Sequence, residues 1–561
     1  MIIKGGFVYD PTNGVHGEEM DICIEGGKVV EKPRGGDEID ARGMLVMPGG
    51  VDAHAHIAGA KVNSGRIMRP EDARRGIEPR TKLLRPSTGY TVPNCYAMGY
   101  RYARLGYTCA FEAATPILES RHTHEELEEI PIVDKGALTL FGNNWEVLEC
   151  VRDGDLDKLA AFVAWGLLAS RGYGVKVVNP GGGEAWGFGG NVKGIDDPVP
   201  NFGVTPIEII RNLMKANEIL RLPHSAHLHT NNLGKPGNYE TTLATLKAVE
   251  DISASRNRQV LHVTHMQFSA YGGTGWRDFE SKAPEIADYF NRHDQFTMDM
   301  GQLIFGSATT MTADAPLEYG NARLLHAKWS NHDIELEESS GVVPLVYGRK
   351  MPINAIQWAI GLELALLTKN PWQFIMTTDH PNGGPFVNYP EVISLLMSRA
   401  KREEELASLH ELASKRSSLP SIEREMDWND IAIVTRAAPA KILGLPEKGH
   451  LGVGADGDVT IYDINPANVD PSKDHKKVKG ALAKAKYTIK GGEVVVRDGE
   501  IVAVPQGRTY WVEASVPENQ AAKVKADLVE KFAKYYSIQM SNYMVQDAYV
   551  THPRVVKAGV I

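Results

Sequence analysis

Cysteine is scarce in this chain. The 561 residues hold four, Cys23, Cys95, Cys109 and Cys150, with no Cys-x-x-Cys pair among them. That spacing excludes a zinc-finger or iron–sulfur framework and fits reduced thiols in a cytoplasmic protein. Long hydrophobic runs are missing too. No stretch reaches the roughly 20 apolar residues that a membrane helix needs, and the start, MIIKGGFVYD, lacks the apolar core of a signal peptide. Positive charge is not in excess: the formal net charge of −9 argues against nucleic acid or an anionic membrane as partner. No glycine-rich nucleotide loop follows a strand in Rossmann fashion. Redox chemistry is therefore expected on another polypeptide.

What remains is the composition of an ordinary globular protein, 43% apolar and 23% charged, long enough for one large and one or two smaller domains. Residues 1–43 read as short strands broken by glycines, with Glu25-Gly-Gly-Lys28 as a hairpin turn. The same vocabulary returns over 446–515. We expect these two ends to build one small β-sandwich, with a large domain, 44–445, inserted between them and a helical tail over 516–561.

Inside the insertion, apolar runs alternate with helical patterns. Strands are expected near the His-x-His segment and at Thr108–Ala113, Ala137–Phe141, Gly174–Val178, Ser225–His229, Val260–His265, Gln295–Met300 and Gln373–Asp379. Eight strands with intervening helices, such as Pro206–Leu220 and Tyr239–Ile252, predict a (β/α)8 barrel, an α/β fold whose site lies at the C-terminal strand ends. Two segments exceed a minimal barrel: the basic stretch from Ile57 to about Pro93, and Gly301 to about Ile353, which has little clear periodicity. Loops of that length on the catalytic face are more often functional than accidental.

The chain is organised around MPGGVDAHAH, residues 47–56. Side chains two apart on a strand share a face, so His54 and His56 can grip one divalent cation. A bare His-x-His is more often a packed or surface pair. Lys176 stands inside the apolar run GVKVV, where a lone ammonium must snorkel, pair or be chemically altered. In PHSAHLH, His227 and His229 share a face and His224 takes the other; in LHVTH, His262 and His265 fall on opposite faces. His229 and His265, nearer the strand ends, are the candidates, with His227 and His262 as alternatives. FIMTTDH ends in Asp379, the only strand-end carboxylate we identify for moving a proton.

The order HxH, Lys, His, His, Asp resembles the binuclear members of the amidohydrolase superfamily. Longer phrases, MPGGVDAHAHIAG, GRIMRPEDAR, GVKVVNPGG, HLHTNNLG, HVTHMQFSAYGG and TTDHPNGGPF, resemble the A subunits of formylmethanofuran dehydrogenases. The corresponding chain of the bacterial formyltransferase/hydrolase complex is similar. The resemblance implies two divalent metal ions, with zinc suited to the nitrogen and oxygen donors, held by His54, His56, Lys176 as a carboxylated lysine, His229, His265 and Asp379. It implies condensation of formate with the amine of methanofuran, the reverse of formamide hydrolysis. The partners would be a tungsten- or molybdenum-containing formate dehydrogenase-like subunit, together with other subunits of one complex. His227, Asn231 and Asn232 would orient substrate, and Arg66, Arg69, Arg74 and Arg75 would meet the acidic tail of methanofuran or another subunit. The rival readings are a stand-alone hydantoinase- or dihydroorotase-like cyclic amidase and a non-catalytic scaffold.

Overall fold

The computed structural model describes residues 1–559, apart from the side chains of residues 332 and 333. Eight parallel strands form the barrel: Gly50–Ala55, Tyr107–Thr115, Asp134–Leu140, Gly174–Val178, Ala226–His229, Leu261–Val263, Phe296–Asp299 and Phe374–Ile375. They pair in sequence order, and a parallel bridge between Ala55 and His380 joins the eighth to the first. Every residue of Tyr107–Thr115 and of Gly174–Val178 is buried. A parallel strand covered by helices on one side and filled by side chains on the other is mostly apolar, so Glu112 and Lys176 stand out within these two. The helix Pro206–Ile219 starts where Thr205 and Glu208 cap each other's backbone and Pro206 fills the first turn.

The two chain ends meet in one nine-stranded sheet. Leu45–Pro48 runs antiparallel to Val459–Tyr462, bringing the N-terminal strands beside the C-terminal ones. Ile3, Val8, Ile22, Val46, Ile461 and Ile489 form this sheet's own core. Where it meets the barrel, the buried Lys448 Nζ lies 2.5 Å from Asp134 of the third barrel strand and 2.5 Å from Asp458.

The chain departs from the sequence expectation at two places. Thr509–Ser515, assigned with the terminal sheet, instead pairs through Thr509 and Tyr510 with the third barrel strand, and also with Pro553–Gly559. The tail is therefore helix Glu518–Lys534 followed by a strand. The run TYWV reads as a strand locally, but nothing local says which sheet will take it. The second place is the stretch after the seventh strand. Its weak periodicity conceals a three-stranded antiparallel sheet, Gly306–Thr312, Glu338–Tyr347 and Ser330–Ile334, with helix Ala315–Leu325. Serine and threonine at alternating positions blur the apolar pattern that marks a strand. This sheet meets the segment after the first strand: the Arg69 guanidinium donates to Ala308 O (2.6 Å) and Leu345 O (3.1 Å). The two long segments thus pack together over the C-terminal ends of the barrel strands. Among the described residues no helix is long and apolar enough to cross a membrane.

Candidate metal centre

His54 and His56 end the first strand on one face, each turned by a carboxylate behind it. His54 Nδ1 lies 2.7 Å from Asp299 Oδ2, and His56 Nδ1 lies 3.1 Å from Glu112 Oε1. Each ring then directs its other nitrogen at Asp379: His54 Nε2 is 3.1 Å and His56 Nε2 3.4 Å from Oδ1. A carboxylate behind each imidazole is the usual support of a metal-binding histidine, because it sets ring orientation and raises donor strength. Burial is the largest influence on His54 and works against its charge, but Asp299 and Asp379 together outweigh it and lift the ring to about 9. Burial likewise favours the neutral acid at Asp379, and the adjoining His54 and His56 overcome it, holding that carboxyl well below its ordinary range.

Asp379 owes its direction to its surroundings. Asn382 Nδ2 donates to Asp379 Oδ2 (2.9 Å), while Asn382 Oδ1 accepts from Met311 N (2.7 Å) on the sheet that follows the seventh strand. Oδ1 is left toward the histidines. Asp379 has φ +50° and His265 has φ +35°, a backbone region costly for residues with a side chain and concentrated at functional sites. That turn matters at His265. The sixth strand ends at Val263, so His265 escapes the alternation that would separate it from His262. Its ring centroid comes to 4.7 Å from that of His229 and 5.4 Å from that of His54.

Lys176 is buried, and its Nζ has no hydrogen-bond partner. Burial is the main force depressing this amine to about 7, against the pull of Asp299 and Asp379. An unpartnered amine of that kind, beside imidazoles and carboxylates and without thiolate, fits a site for divalent cations. Ligand atoms of His54, His265 and Asp379 all lie within 4.8 Å of one another. His54, His56, Lys176, His229, His265 and Asp379 together line one cavity of about 480 Å³. Its upper walls include Phe268, Tyr271, Leu345 and Tyr347.

Other histidines lie in the barrel interior. His227 Nε2 is 3.3 Å from His54 Nδ1, His224 Nε2 is 2.9 Å from His227 Nδ1, and His262 Nε2 is 3.1 Å from Asp299 Oδ2. His224 and His227 therefore touch rather than facing apart, because His224 precedes the strand. Asn231 and Asn232 donate to Pro180 O and Lys193 O, holding loops. Arg66 and Arg69 are likewise spent within the fold, Arg66 on Glu126 (2.6 Å) and Arg69 on the backbone, while Arg74 and Arg75 stay exposed.

Sequence reasoning missed four contributors. Asp299 ends the seventh strand, so Asp379 is not the only strand-end carboxylate. Glu112 is a charge inside an apolar strand, the signal that singled out Lys176, and Asp299 carries the signal that singled out Asp379. Asp314, 3.2 Å from His229 Nε2, and Asn382 had no local signal.

A barrel carrying this cluster at its strand ends defines a metal-dependent hydrolase. The chain belongs to the amidohydrolase family, which it matches over residues 37–496. It is 52% identical to Protein FwdA of Methanocaldococcus jannaschii over 99% of this chain and 98% of that one. It is 37% identical to the A subunit of the formyltransferase/hydrolase complex Fhc of Methylorubrum extorquens over 94% of each. The crystal structure of that organism's FhcABCD complex with methylofuran contains a chain similar at TM-score 0.88 and 36% identity, covering 99% of each. A D-hydantoinase structure, at TM-score 0.50 and 16% identity over 92% of this chain and 98% of that one, shares the fold.

Proposed function

We propose that this chain is the amidohydrolase subunit of a formylmethanofuran dehydrogenase complex, interconverting N-formylmethanofuran with formate and methanofuran. The observation that carries this reading is the cavity. Six metal-type residues form its floor beneath aromatic and aliphatic walls, in a chain alike over its whole length to one from a complex with methylofuran. A narrow apolar chamber over a polar floor suits an amine carried on a ring.

His54, His56, His229, His265, Asp379 and a carboxylated Lys176 would hold two divalent cations, with zinc suited to the donors. When bound, these cations polarise a formyl oxygen and make water acidic enough to attack near neutral pH. Asp379, held by Asn382 through Oδ2, keeps Oδ1 free to accept a proton from that water and deliver it to the leaving nitrogen. Condensation runs the same path backwards. In this reading the barrel does the amide chemistry alone; Cys95, Cys109 and Cys150 are buried and free. Reduction of carbon dioxide then belongs to a tungsten- or molybdenum-containing partner.

Asp379→Asn in the assembled complex should abolish deformylation of N-formylmethanofuran while leaving formate oxidation with an artificial dye near its starting rate. Equal loss of both activities would overturn the division of labour. Turnover of ring amides by the unaltered protein, without deformylation, would instead favour a cyclic amidase.

A further inference from the structure

Among the described residues lining the cavity, Glu318 is the only carboxyl besides Asp379. It stands on helix Ala315–Leu325, whose cap, Asp314, contacts His229 on the floor. Four residues along a helix rise about 6 Å, so Glu318 sits one turn above Asp314. A Cβ at Gly341 would lie 2.6 Å from Glu318 Cβ, so the neighbouring strand holds the side chain closely.

Its hydrogen-bond donors, Thr310 and Asn321, favour the carboxylate. Thr310 Oγ1 is 2.7 Å from Glu318 Oε2 and 3.1 Å from Val343 O. One hydroxyl proton serves one of these acceptors. Asn321 Nδ2 donates to the same Glu318 oxygen at 3.4 Å. Burial, helped by Asp314 and Asp379, pushes the Glu318 carboxyl up to about 8. Ionised, Glu318 has no ion-pair partner among the described residues, so a buried carboxylate there is poorly balanced.

We propose that Glu318 recognises the ammonium form of the substrate amine one helical turn above the metal-binding floor; this rests on the formamide reading above. In R–NH–CHO + H2O ⇌ R–NH3+ + HCOO−, only one side presents a cation on the carbon chain. A cation against Glu318 supplies the missing counter-charge, and the Thr310 and Asn321 donors already in place support the carboxylate that meets it. The neutral formamide gains no such contact. Glu318 therefore sets the preference for a primary amine over a neutral group of the same shape.

The test is equilibrium binding to the full-length protein, with furfurylamine, furfuryl alcohol and N-furfurylformamide as probes, for the unaltered chain and Glu318→Gln. Glutamine keeps size and hydrogen bonding but cannot ionise. Furfurylamine should bind at least about tenfold more weakly to the variant, the scale of a hydrogen bond to a charged group, while the alcohol and formamide change less than about threefold. Equal weakening of all three probes would show a merely structural role and overturn the proposal, as would unchanged amine affinity. Because the readout is binding, failure of the unaltered protein to deformylate any substrate would count against the reaction, not against Glu318.

Discussion

His54 and Asp299 are joined through His54 Nδ1, 2.7 Å from Asp299 Oδ2, deep in the barrel. The same oxygen is 3.1 Å from His262 Nε2, and Asp299 Oδ1 accepts from His265 N at 2.6 Å. One carboxylate from the seventh strand thus sets the ring of His54 and the backbone of His265, two of the expected ligands.

Asp299→Asn should accordingly weaken metal binding without touching a metal directly. Loss of such a support typically costs about 10–100-fold in affinity. Chelator competition with zinc on the purified protein would measure it. An affinity within about twofold of the unaltered chain would show that His54 is held well enough without it.

If Lys176 is carboxylated as proposed, Lys176→Ala should release metal and abolish deformylation, because the site would lose that anion. Added acetate or propionate should restore part of both, by filling the space left by the side chain. High-resolution electron density of the metal-replete protein should show three additional atoms on Nζ. Density for a bare amine with both metals present would rule the carboxylated form out.

Stability should fall as pH rises through the neutral range, with Glu337 among the causes. Its Oε1 accepts from the Tyr543 and Tyr536 hydroxyls of the C-terminal tail, and Oε2 accepts from Leu118 N at 3.0 Å. Burial is the main force that raises its carboxyl from 4.5 to about 8. Between those values the folded chain keeps a proton that the unfolded chain has lost. The contribution is full below about 4.5 and is lost as pH passes about 8. Apparent melting temperature should drop between pH 6 and pH 9, and Glu337→Gln should reduce that drop. An identical pH slope in the variant would place the sensitivity elsewhere, for instance at Glu318 or Asp52, which burial also raises.

Local pattern carried the architecture a long way. Apolar runs alternating with helical periodicity predict eight parallel strands, and Gly174–Val178 forms with the expected limits. Glycine-punctuated strands at both ends predict their joint sheet. His54 and His56 share a face because a strand alternates, and Lys176 was legible because an amine inside an apolar strand needs a reason to be there. Other features depend on partners far away in the chain. His265 reaches the cavity through a left-handed backbone turn that strand periodicity cannot show. Asp299 and Glu112 become supports only when the barrel brings the seventh and second strands against the first. Thr509–Ser515 chose the barrel over the terminal sheet, although its residues suit either. Glu318 meets the cavity only because a sheet hidden in a weakly periodic segment folds over the strand ends. Side-chain periodicity is written residue by residue, whereas pairing, layering and the surroundings of a charge are properties of contacts across hundreds of residues, and only the folded chain decides them.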